Sequence, residues 1–172
     1  MNNLVFLDES GVNINETRHY GRAEGGARVH DSAPLNTPTS TTMLSTVRLD
    51  GETVYTTMAG SLNGERFKEY LRDSLVPKLR HGDIVIMDNL RSHKVQGVKE
   101  LIETAGASVL YLPPYSPDLN PIEQMWSKIK AALRALKPRT VGELENAIPK
   151  AFDLITSDDI LGWFTCAGYG VI

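Results

Sequence analysis

The stretch YLPPYSPDLNPIEQMWSKIK, residues 111–130, decides how the rest of the sequence is interpreted. Its paired prolines, Pro113 and Pro114, forbid helix and favour an extended entry into a loop. Asn120 is typical of a helix N-cap and Pro121 of a first helical residue, and a run of good helix formers follows. We therefore predict a loop that leads into a helix at Pro121.

Glu123 lies in the first turn of that helix, and two interpretations of it compete. In the first, Glu123 closes a capping box by reaching back to the Asn120 amide, since acidic residues are common in first turns. In the second, Glu123 is the third carboxylate of a metal site whose other members are Asp8 and Asp88. The helix alone does not decide between them.

Two short apolar runs elsewhere in the chain each end in an aspartate. Residues 4–7 (LVFL) are followed by Asp8, and residues 84–87 (IVIM) are followed by Asp88. Each run is typical of a buried strand whose carboxyl end presents a carboxylate. If the two strands are neighbours, both carboxylates emerge at the edge where α/β sheets place their sites. A single aspartate after a strand is common in turns. Two strands that each end in aspartate, together with a glutamate in the first turn of a later helix, are much less expected by chance.

The order of the predicted elements indicates an α/β fold. A hairpin followed by strand–helix alternation favours a mixed sheet with helices on both faces. After the first strand we predict a loop at 15–40 with one short strand near 27–30, and then a hairpin of 42–49 and 53–58 around Asp50-Gly51. A helix at 62–75, ended by Val76-Pro77, precedes the strand at 84–87, a helix at 95–105 and a strand at 108–112. The helix from Pro121 is followed by a helix that Thr140 and Glu143 cap and that breaks near Pro149, and by a last short helix capped by Ser157.

Composition predicts one globular domain covering residues 1–172. The sequence is 41% hydrophobic and 23% charged, which argues against large-scale disorder. The one cysteine, Cys166, excludes an internal disulfide and a cysteine-based zinc site, and we expect it to be a small buried residue. No apolar run has the length of a signal peptide or a membrane span, so a cytoplasmic protein is expected.

The net charge of −3 hides an uneven distribution. Residues 66–139 carry 13 basic and 8 acidic groups, whereas the segments before and after them each carry a net charge of −4. This basic middle permits a surface that follows a phosphate backbone, although a solvated helical face accounts for it equally well. Helical spacing places Trp126 in the core and puts one row of side chains behind Glu123: Ser127, Lys130, Arg134 and Lys137.

Four segments together match a known pattern: FLDESG at 6–11, VIMDNLRSH at 85–93, LPPYSPDLNPIEQMWSKIK at 112–130 and CAGY at 166–169. They resemble the DDE transposases of bacterial insertion sequences related to mariner elements. The 34 residues between Asp88 and Glu123 are a spacing typical of that group. Members of the group belong to the retroviral-integrase-like superfamily, so the resemblance implies an RNase H-like fold, a mixed five-stranded sheet with helices on both faces.

The resemblance also implies that Asp8, Asp88 and Glu123 are the catalytic carboxylates of DNA strand cleavage and strand transfer. Oxygen ligands without cysteine favour Mg²⁺ or Mn²⁺. Two such ions about 3.5–4 Å apart activate the attacking oxygen and stabilise the leaving oxygen of a phosphodiester. We assign Asp8 to both ions, Asp88 to one and Glu123 to the other. The nucleophile is then water in cleavage and a DNA 3′-hydroxyl in strand transfer.

Basic residues near these carboxylates are expected to contact DNA. They are Arg91, His93, Lys94, Lys130, Arg134 and Lys137. For His93, a contact with the scissile phosphate or a metal-bound water and a purely structural role as the cap of the next helix remain equally acceptable. Glu9 should point away from Asp8 along a strand, so we interpret it as structural.

The chain departs from related full-length transposases in one respect. Those proteins carry helix-turn-helix modules ahead of the first catalytic strand, whereas no such module precedes Asp8 here. We expect double-stranded DNA as the partner (transposon ends and target), a homodimer in the DNA complex, and association with the nucleoid. Three origins of the chain stay open: one product of a split reading frame, with a separate polypeptide supplying the helix-turn-helix module, a degraded element, or an excised catalytic domain. Two alternatives stay open: a catalytically silent DNA-binding or regulatory remnant, and an RNase H-fold repair or recombination nuclease.

Overall fold

A computed structural model describes residues 2–17, 20–35 and 40–170. Its centre is one mixed sheet with the strand order β3-β2-β1-β4-β5. The strands are β1 (Leu4–Val12), β2 (Thr41–Arg48), β3 (Tyr55–Ala59), β4 (Ile84–Met87) and β5 (Ser108–Tyr111). Strand β2 is antiparallel to both β1 and β3, and β4 runs parallel to both β1 and β5. The expected α/β class and five-stranded mixed sheet are confirmed.

Strand β1 is longer than its apolar run predicts. Residues 4–7 mark only its first half, because the chain continues through Val12 as an antiparallel partner of β2. The parallel pairing with β4 covers only the first part of β1, from Leu4 to Phe6. Asp8 therefore lies inside a continuous strand, just beyond the point where the parallel ladder ends.

Helices cover both faces of the sheet, as predicted. They are α1 (Gly64–Tyr70), α2 (Val98–Glu103), α3 (Pro121–Leu136), α4 (Val141–Phe152) and α5 (Ser157–Cys166). Along β1, Phe6 belongs to the core shared with α3, α4 and α5, whereas Val5 and Leu7 belong to the core shared with α1 and α2. This alternation follows from the two-residue period of a strand, and it places odd and even positions of β1 on opposite faces.

The helix predicted at 62–75 is present, but it is not α-helical throughout. The Asn63 side chain accepts a hydrogen bond from the Arg66 amide and begins α1. After α1 the chain continues as a π-helical turn, Leu71–Leu75, and then a 3₁₀ turn that contains Pro77. Proline lacks the amide proton that a further α-helical turn needs, so the helix ends here as expected.

Four local predictions are wrong. Residues 27–30 form no strand, because they are exposed and pair with no other described strand. Helix α4 runs through Pro149, which is exposed, so water can bind the carbonyl group left without a partner. The cap of α5 is Thr156 rather than Ser157, since the Thr156 side chain accepts from the Asp159 amide. Cys166 is exposed rather than buried.

A buried ion pair ties the end of β2 to the start of β4. Arg48 contacts Asp83 with both terminal nitrogens, and its Nη1 atom lies 3.0 Å from the Asp83 Oδ1 atom. Both side chains are 2% exposed. Asp83 also accepts a hydrogen bond from the Arg80 amide at 2.6 Å, which satisfies part of its remaining capacity.

In the part of the chain that the structure describes, no helix has the length and apolar character needed to cross a bilayer.

Candidate active site

Asp8 and Asp88 lie near each other, just beyond the parallel ladder between β1 and β4. The last paired residues of that ladder are Phe6 and Ile86, each two positions before an aspartate, and the charge of Asp88 acts on Asp8. The chain leaves β4 at Met87, so the Asp88 side chain projects where the strand ends. The juxtaposition expected from the two apolar runs is therefore present in the structure.

Asp8 is buried on the face of the sheet that α3 covers. It is 8% exposed, and its Oδ2 atom accepts a hydrogen bond from the Trp126 indole at 3.2 Å. Burial, together with the negative charges of Glu9 and Glu123, raises the pKa of Asp8 to about 8. The protein alone therefore favours the protonated form of Asp8 at neutral pH, and a nearby cation would favour the carboxylate.

Asp88 has the opposite electrostatic environment. Its Oδ1 atom accepts from the Leu90 amide at 2.9 Å and lies 2.7 Å from the Nδ1 atom of His93. The contact with His93 lowers the pKa of Asp88 and outweighs the effect of its partial burial. Asp88 is therefore held as a carboxylate at neutral pH, with a fixed orientation on one side.

His93 lies between two carboxylates in the interior. Its Nε2 atom is 3.1 Å from the Glu9 Oε2 atom, and its ring lies against the Phe67 ring with the centroids 4.6 Å apart. Burial lowers the pKa of His93, but the contacts with Asp88 and Glu9 raise it further, to about 9. The imidazolium form at neutral pH thus links Glu9 to Asp88.

Neither role predicted for His93 fits this position. A contact with the scissile phosphate needs an exposed ring, and the His93 side chain is 0% exposed. It does not cap the next helix either, because α2 begins only at Val98, after Gly97. Residues 91–94 form a separate 3₁₀ turn that turns the imidazole inward.

Glu123 lies in the first turn of α3, as predicted, and faces the same region from the opposite side. Asn120 is the N-cap, but its side chain makes no capping hydrogen bond, so the capping box is not formed. Burial raises the pKa of Glu123, Lys130 opposes this rise, and the negative charge of Asp88 adds to it. Glu123 therefore belongs to the same electrostatic cluster as the two aspartates.

A cleft of about 450 Å³ separates Asp88 from Glu123. Asp88 and Glu123 lie on its wall, and the proline loop between β5 and α3 supplies most of the remaining surface. The other lining residues are Asn89, Leu90, Leu112, Pro113, Pro114, Tyr115, Ser116, Pro117 and Asn120. The sequence stretch at 111–130 thus forms both one carboxylate of the cluster and the boundary of the space beside it.

The predicted basic residues fall into two groups. Arg91 and Lys94 are exposed on the turn after Asp88, and the Lys94 Nζ atom lies 2.6 Å from the Asn89 Oδ1 atom. On α3, Lys130 is close enough to lower the pKa of Glu123. None of the three lines the cleft itself, but Lys94 and Lys130 lie within electrostatic reach of Asp88 and Glu123.

Two cations of the α3 row are already paired with acidic residues of the segment that follows β1. The Arg134 Nη1 atom lies 3.5 Å from the Glu16 Oε2 atom. The Lys137 Nζ atom lies 2.7 Å from the Asp31 Oδ2 atom. These two cations are therefore partly neutralised by the protein itself, which the spacing of the row did not indicate.

A family model for the DDE superfamily endonucleases matches residues 3–145. The match covers most of the chain and includes Asp8, Asp88 and Glu123. The chain belongs to this family. No curated protein matches the sequence at a significant level.

Solved structures of Mos1 transposase share the fold of this DDE-family chain. The paired-end complex with the left transposon end has a TM-score of 0.74 at 19% identity, over 98% of this chain and 52% of that one. The mariner paired-end complex with Mg has a TM-score of 0.71 at 19% identity, over 96% and 55%. The isolated catalytic domain has a TM-score of 0.68 at 18% identity, over 98% and 78%. The chain thus spans about half the length of the transposases in the DNA complexes.

The carboxylates of this DDE-family chain fit a hard divalent cation by their chemistry. All are oxygen donors, and the pKa of Asp8 is raised by burial and then by the negative charges of Glu9 and Glu123, which a cation would balance. Among residues 2–17, 20–35 and 40–170, no three His, Cys, Asp or Glu side chains lie close enough together to hold one ion. The donors are therefore gathered around one cleft but are not arranged as a closed site.

Sequence reasoning missed two residues that act on these carboxylates. Trp126 was expected only in the core, yet its indole N–H also reaches Asp8. Glu9 was interpreted as structural, and it does point away from the Asp8 side, but there it contacts His93. The two-residue period of a strand predicts the direction of the Glu9 side chain. Only the structure shows that a buried histidine, His93, lies on that side of the sheet.

Proposed function

We propose that this chain is the catalytic domain of a metal-dependent DNA transposase, which cleaves phosphodiester bonds and transfers strands at the ends of an insertion sequence. The observation that carries the proposal is the meeting of Asp8 and Asp88 on adjacent strands with Glu123 across the same cleft. Family membership supports the chemistry, and the Mos1 complexes with a transposon end and with Mg support the substrate and the cofactor.

The cofactor in this proposal is a pair of Mg²⁺ or Mn²⁺ ions held by Asp8, Asp88 and Glu123. Such ions, when bound, supply the charge that activates the attacking oxygen and stabilises the leaving oxygen. The protein keeps Asp88 ionised through His93, and it holds Asp8 in place through the Trp126 indole. Asp8 lies within β1 and Asp88 directly follows β4, so the central sheet gives both the rigid base that a metal site requires.

The DNA backbone would enter between two groups of cations. Lys94 beside Asp88 and Lys130 beside Glu123 lie on the two sides of the cleft, close enough to act on those carboxylates. Contacts from such residues hold a duplex in register without reading its sequence. In the same proposal, a separate helix-turn-helix polypeptide recognises the particular ends, and this chain forms a homodimer in the DNA complex.

A plasmid-nicking assay tests the chemistry without knowledge of the end sequence. We expect the protein to convert supercoiled plasmid to nicked circles with Mg²⁺ or Mn²⁺, and EDTA to stop the reaction. Asp8→Asn, Asp88→Asn and Glu123→Gln should each abolish nicking. Glu145→Gln on α4, an exposed acid of another surface, is the matched control and should behave as wild type.

Equal nicking by wild type and Asp88→Asn would rule out the carboxylate site. Duplex DNA bound without nicking in either metal would favour the silent DNA-binding remnant over the enzyme. Calorimetric titration of Mn²⁺ into wild type and into Asp8→Asn separates these results, because an active site should bind the ion in wild type and lose it in the variant.

A further inference from the structure

Tyr115 is an aromatic residue that the protein leaves entirely in solvent beside the cleft. Its relative exposure is 101%, and it lines the space between Asp88 and Glu123. Its backbone has a φ of 58°, in the left-handed region that bulky residues rarely adopt. An apolar ring held in a strained backbone with nothing packed on it points to a role outside the folding of the chain.

The loop that carries Tyr115 is held at both ends. On one side, Leu112 is buried and its amide donates to the Met87 carbonyl at 2.9 Å. On the other, the Leu119 carbonyl accepts from the Tyr169 hydroxyl at 3.0 Å. Prolines before and after Tyr115 restrict the backbone further. The ring is thus presented by an anchored segment, and its position relative to Asp88 and Glu123 is set by the fold.

The surroundings of Tyr115 favour a nucleic acid over a protein as the occupant. Each cleft carboxylate has a lysine within electrostatic reach, Lys94 for Asp88 and Lys130 for Glu123. Residues 66–139, which include the whole loop, have a net charge of +5 from 13 basic and 8 acidic groups. Cations that follow a phosphate backbone and an exposed aromatic ring on which a base can stack are the two parts of a single-strand binding surface.

We propose that Tyr115 is a stacking platform for an unpaired nucleobase of the DNA strand whose phosphate lies at the three carboxylates. The proposal rests on the proposed function for the location of that phosphate. Stacking uses the π-face that every base has, so the site would hold any base at that position. Its role would be to keep a frayed or single-stranded end beside the reacting phosphate, and Tyr115 is then a DNA-binding residue outside the carboxylate cluster.

Fluorescent DNA tests this site directly. The probe is a duplex with a short single-stranded overhang containing 2-aminopurine, and a blunt duplex of the same sequence is the reference. We expect wild type and Tyr115→Phe to quench the fluorescence and to bind the overhang more tightly than the blunt end. Tyr115→Leu should lose the quenching and about 5- to 150-fold of affinity for the overhang, with no change on the blunt duplex.

The matched control is Tyr20→Leu, because Tyr20 is also exposed, at 92%, but does not line the cleft. Quenching by Tyr115→Leu equal to wild type overturns the proposal. So does an equal loss on overhang and blunt duplex, which would indicate a general effect of the loop. A change in molecular mass of Tyr115→Leu in solution, with DNA binding unaltered, overturns it in favour of a contact between copies of the chain.

Failure of this inference and failure of the proposed function give different results. A protein that nicks plasmid DNA, but binds the overhang without help from Tyr115, keeps its proposed function and loses the stacking site. A protein that never nicks, yet shows quenching dependent on Tyr115, keeps the stacking site and loses the proposed catalysis. Asp88→Asn is expected to stop nicking and leave the quenching intact.

Discussion

The Nδ1 atom of His93 lies 2.7 Å from the Oδ1 atom of Asp88, inside the protein and away from solvent. The other ring nitrogen lies 3.1 Å from Glu9, the residue next to Asp8. A buried imidazolium therefore contacts both Asp88 and Glu9, the residue next to Asp8. Partners of this kind orient a ligand and tune its basicity without touching the substrate.

Replacing His93 should lower metal affinity and activity without abolishing them. His93→Gln removes the positive charge that holds Asp88, so we expect a 10- to 100-fold loss in Mn²⁺ affinity or nicking rate, on the order found for outer partners of metal ligands. Calorimetric titration of Mn²⁺ and the plasmid assay measure the two effects. Glu9→Gln, which keeps His93 and its contact with Asp88, should lose less than His93→Gln. An unaltered Mn²⁺ affinity in His93→Gln would contradict this reading.

The protein without divalent ions should lose stability as the pH rises toward about 9, through Asp8 between 3.8 and about 8 and through His93 between 6.5 and about 9. Asp8 keeps its proton in the folded state up to about pH 8, against 3.8 as its ordinary value, so folding favours its protonated form. His93 has a folded pKa of about 9 against 6.5, so its stabilising charge is fully present below pH 6.5 and lost toward pH 9. Both groups bind fewer protons in the unfolded chain, and stability then falls with pH.

Thermal unfolding in EDTA across that range measures the effect. Asp8→Asn should show a smaller decline, because one of the two titrating groups is gone. Added Mn²⁺ should raise the unfolding temperature of wild type most at the alkaline end, where Asp8 is already ionised. A flat profile in EDTA would show that neither group titrates as its surroundings indicate.

The α3 row should contribute unequally to DNA binding. Arg134 and Lys137 are paired with Glu16 and Asp31, whereas Lys130 acts on the cleft carboxylate Glu123. We expect Lys130→Ala to weaken duplex binding more than Lys137→Ala and to reduce its salt dependence by about one counterion.

Releasing the paired cations gives the reverse test. Asp31→Asn should free Lys137 and tighten duplex binding at low salt, with the gain disappearing as salt screens the charges. Fluorescence anisotropy over a salt series records both slopes. Equal losses for Lys130→Ala and Lys137→Ala would mean that DNA displaces the acidic partners at no cost.

The buried pair of Arg48 and Asp83 should dominate the stability of the sheet at its β2–β4 corner. Asp83→Asn leaves the Arg48 charge buried without its partner, so we expect about 3–5 kcal/mol of destabilisation. Urea unfolding measures this loss, and Asp73→Asn, an exposed acid on the π-helical turn, is the control with an expected change near zero. A loss below about 1 kcal/mol would show that water or Glu52, 3.7 Å from Arg48, replaces the missing charge.

The placement of the two aspartates was predictable because it follows from local signals. Each apolar run marked a buried strand, and α/β topology makes β1 and β4 parallel neighbours, so Asp8 and Asp88 come close although β1 continues past Asp8. The start of α3 was predictable for the same reason, since Pro121 at the first helical position acts within one turn of the chain, although the Asn120 side chain makes no capping hydrogen bond. Signals of this range do not depend on what packs against them.

The inward orientation of the His93 side chain was not predictable, because it depends on residues that are distant in the sequence. A histidine after a strand and before a helix reads as a rim residue or a cap, and only Glu9 and Phe67 from other elements give it an interior site. The full length of β1 was not predicted for a related reason. Polar residues from Asp8 to Gly11 do not look like a strand, but β2 pairs with them through the backbone, which is indifferent to side-chain type.

The mixed pairing of β1 also has a consequence for the order in which the molecule assembles during synthesis. The β1–β2–β3 meander joins segments that leave the ribosome early and close together, so it can form first. The ladder between β1 and β4 joins residues 80 positions apart, as Leu4 with Ile84, and such distant contacts close late. In a nascent chain, Asp8 would then already lie in the antiparallel part of the sheet before β4 brings Asp88 beside it. The two aspartates would therefore come together late in folding.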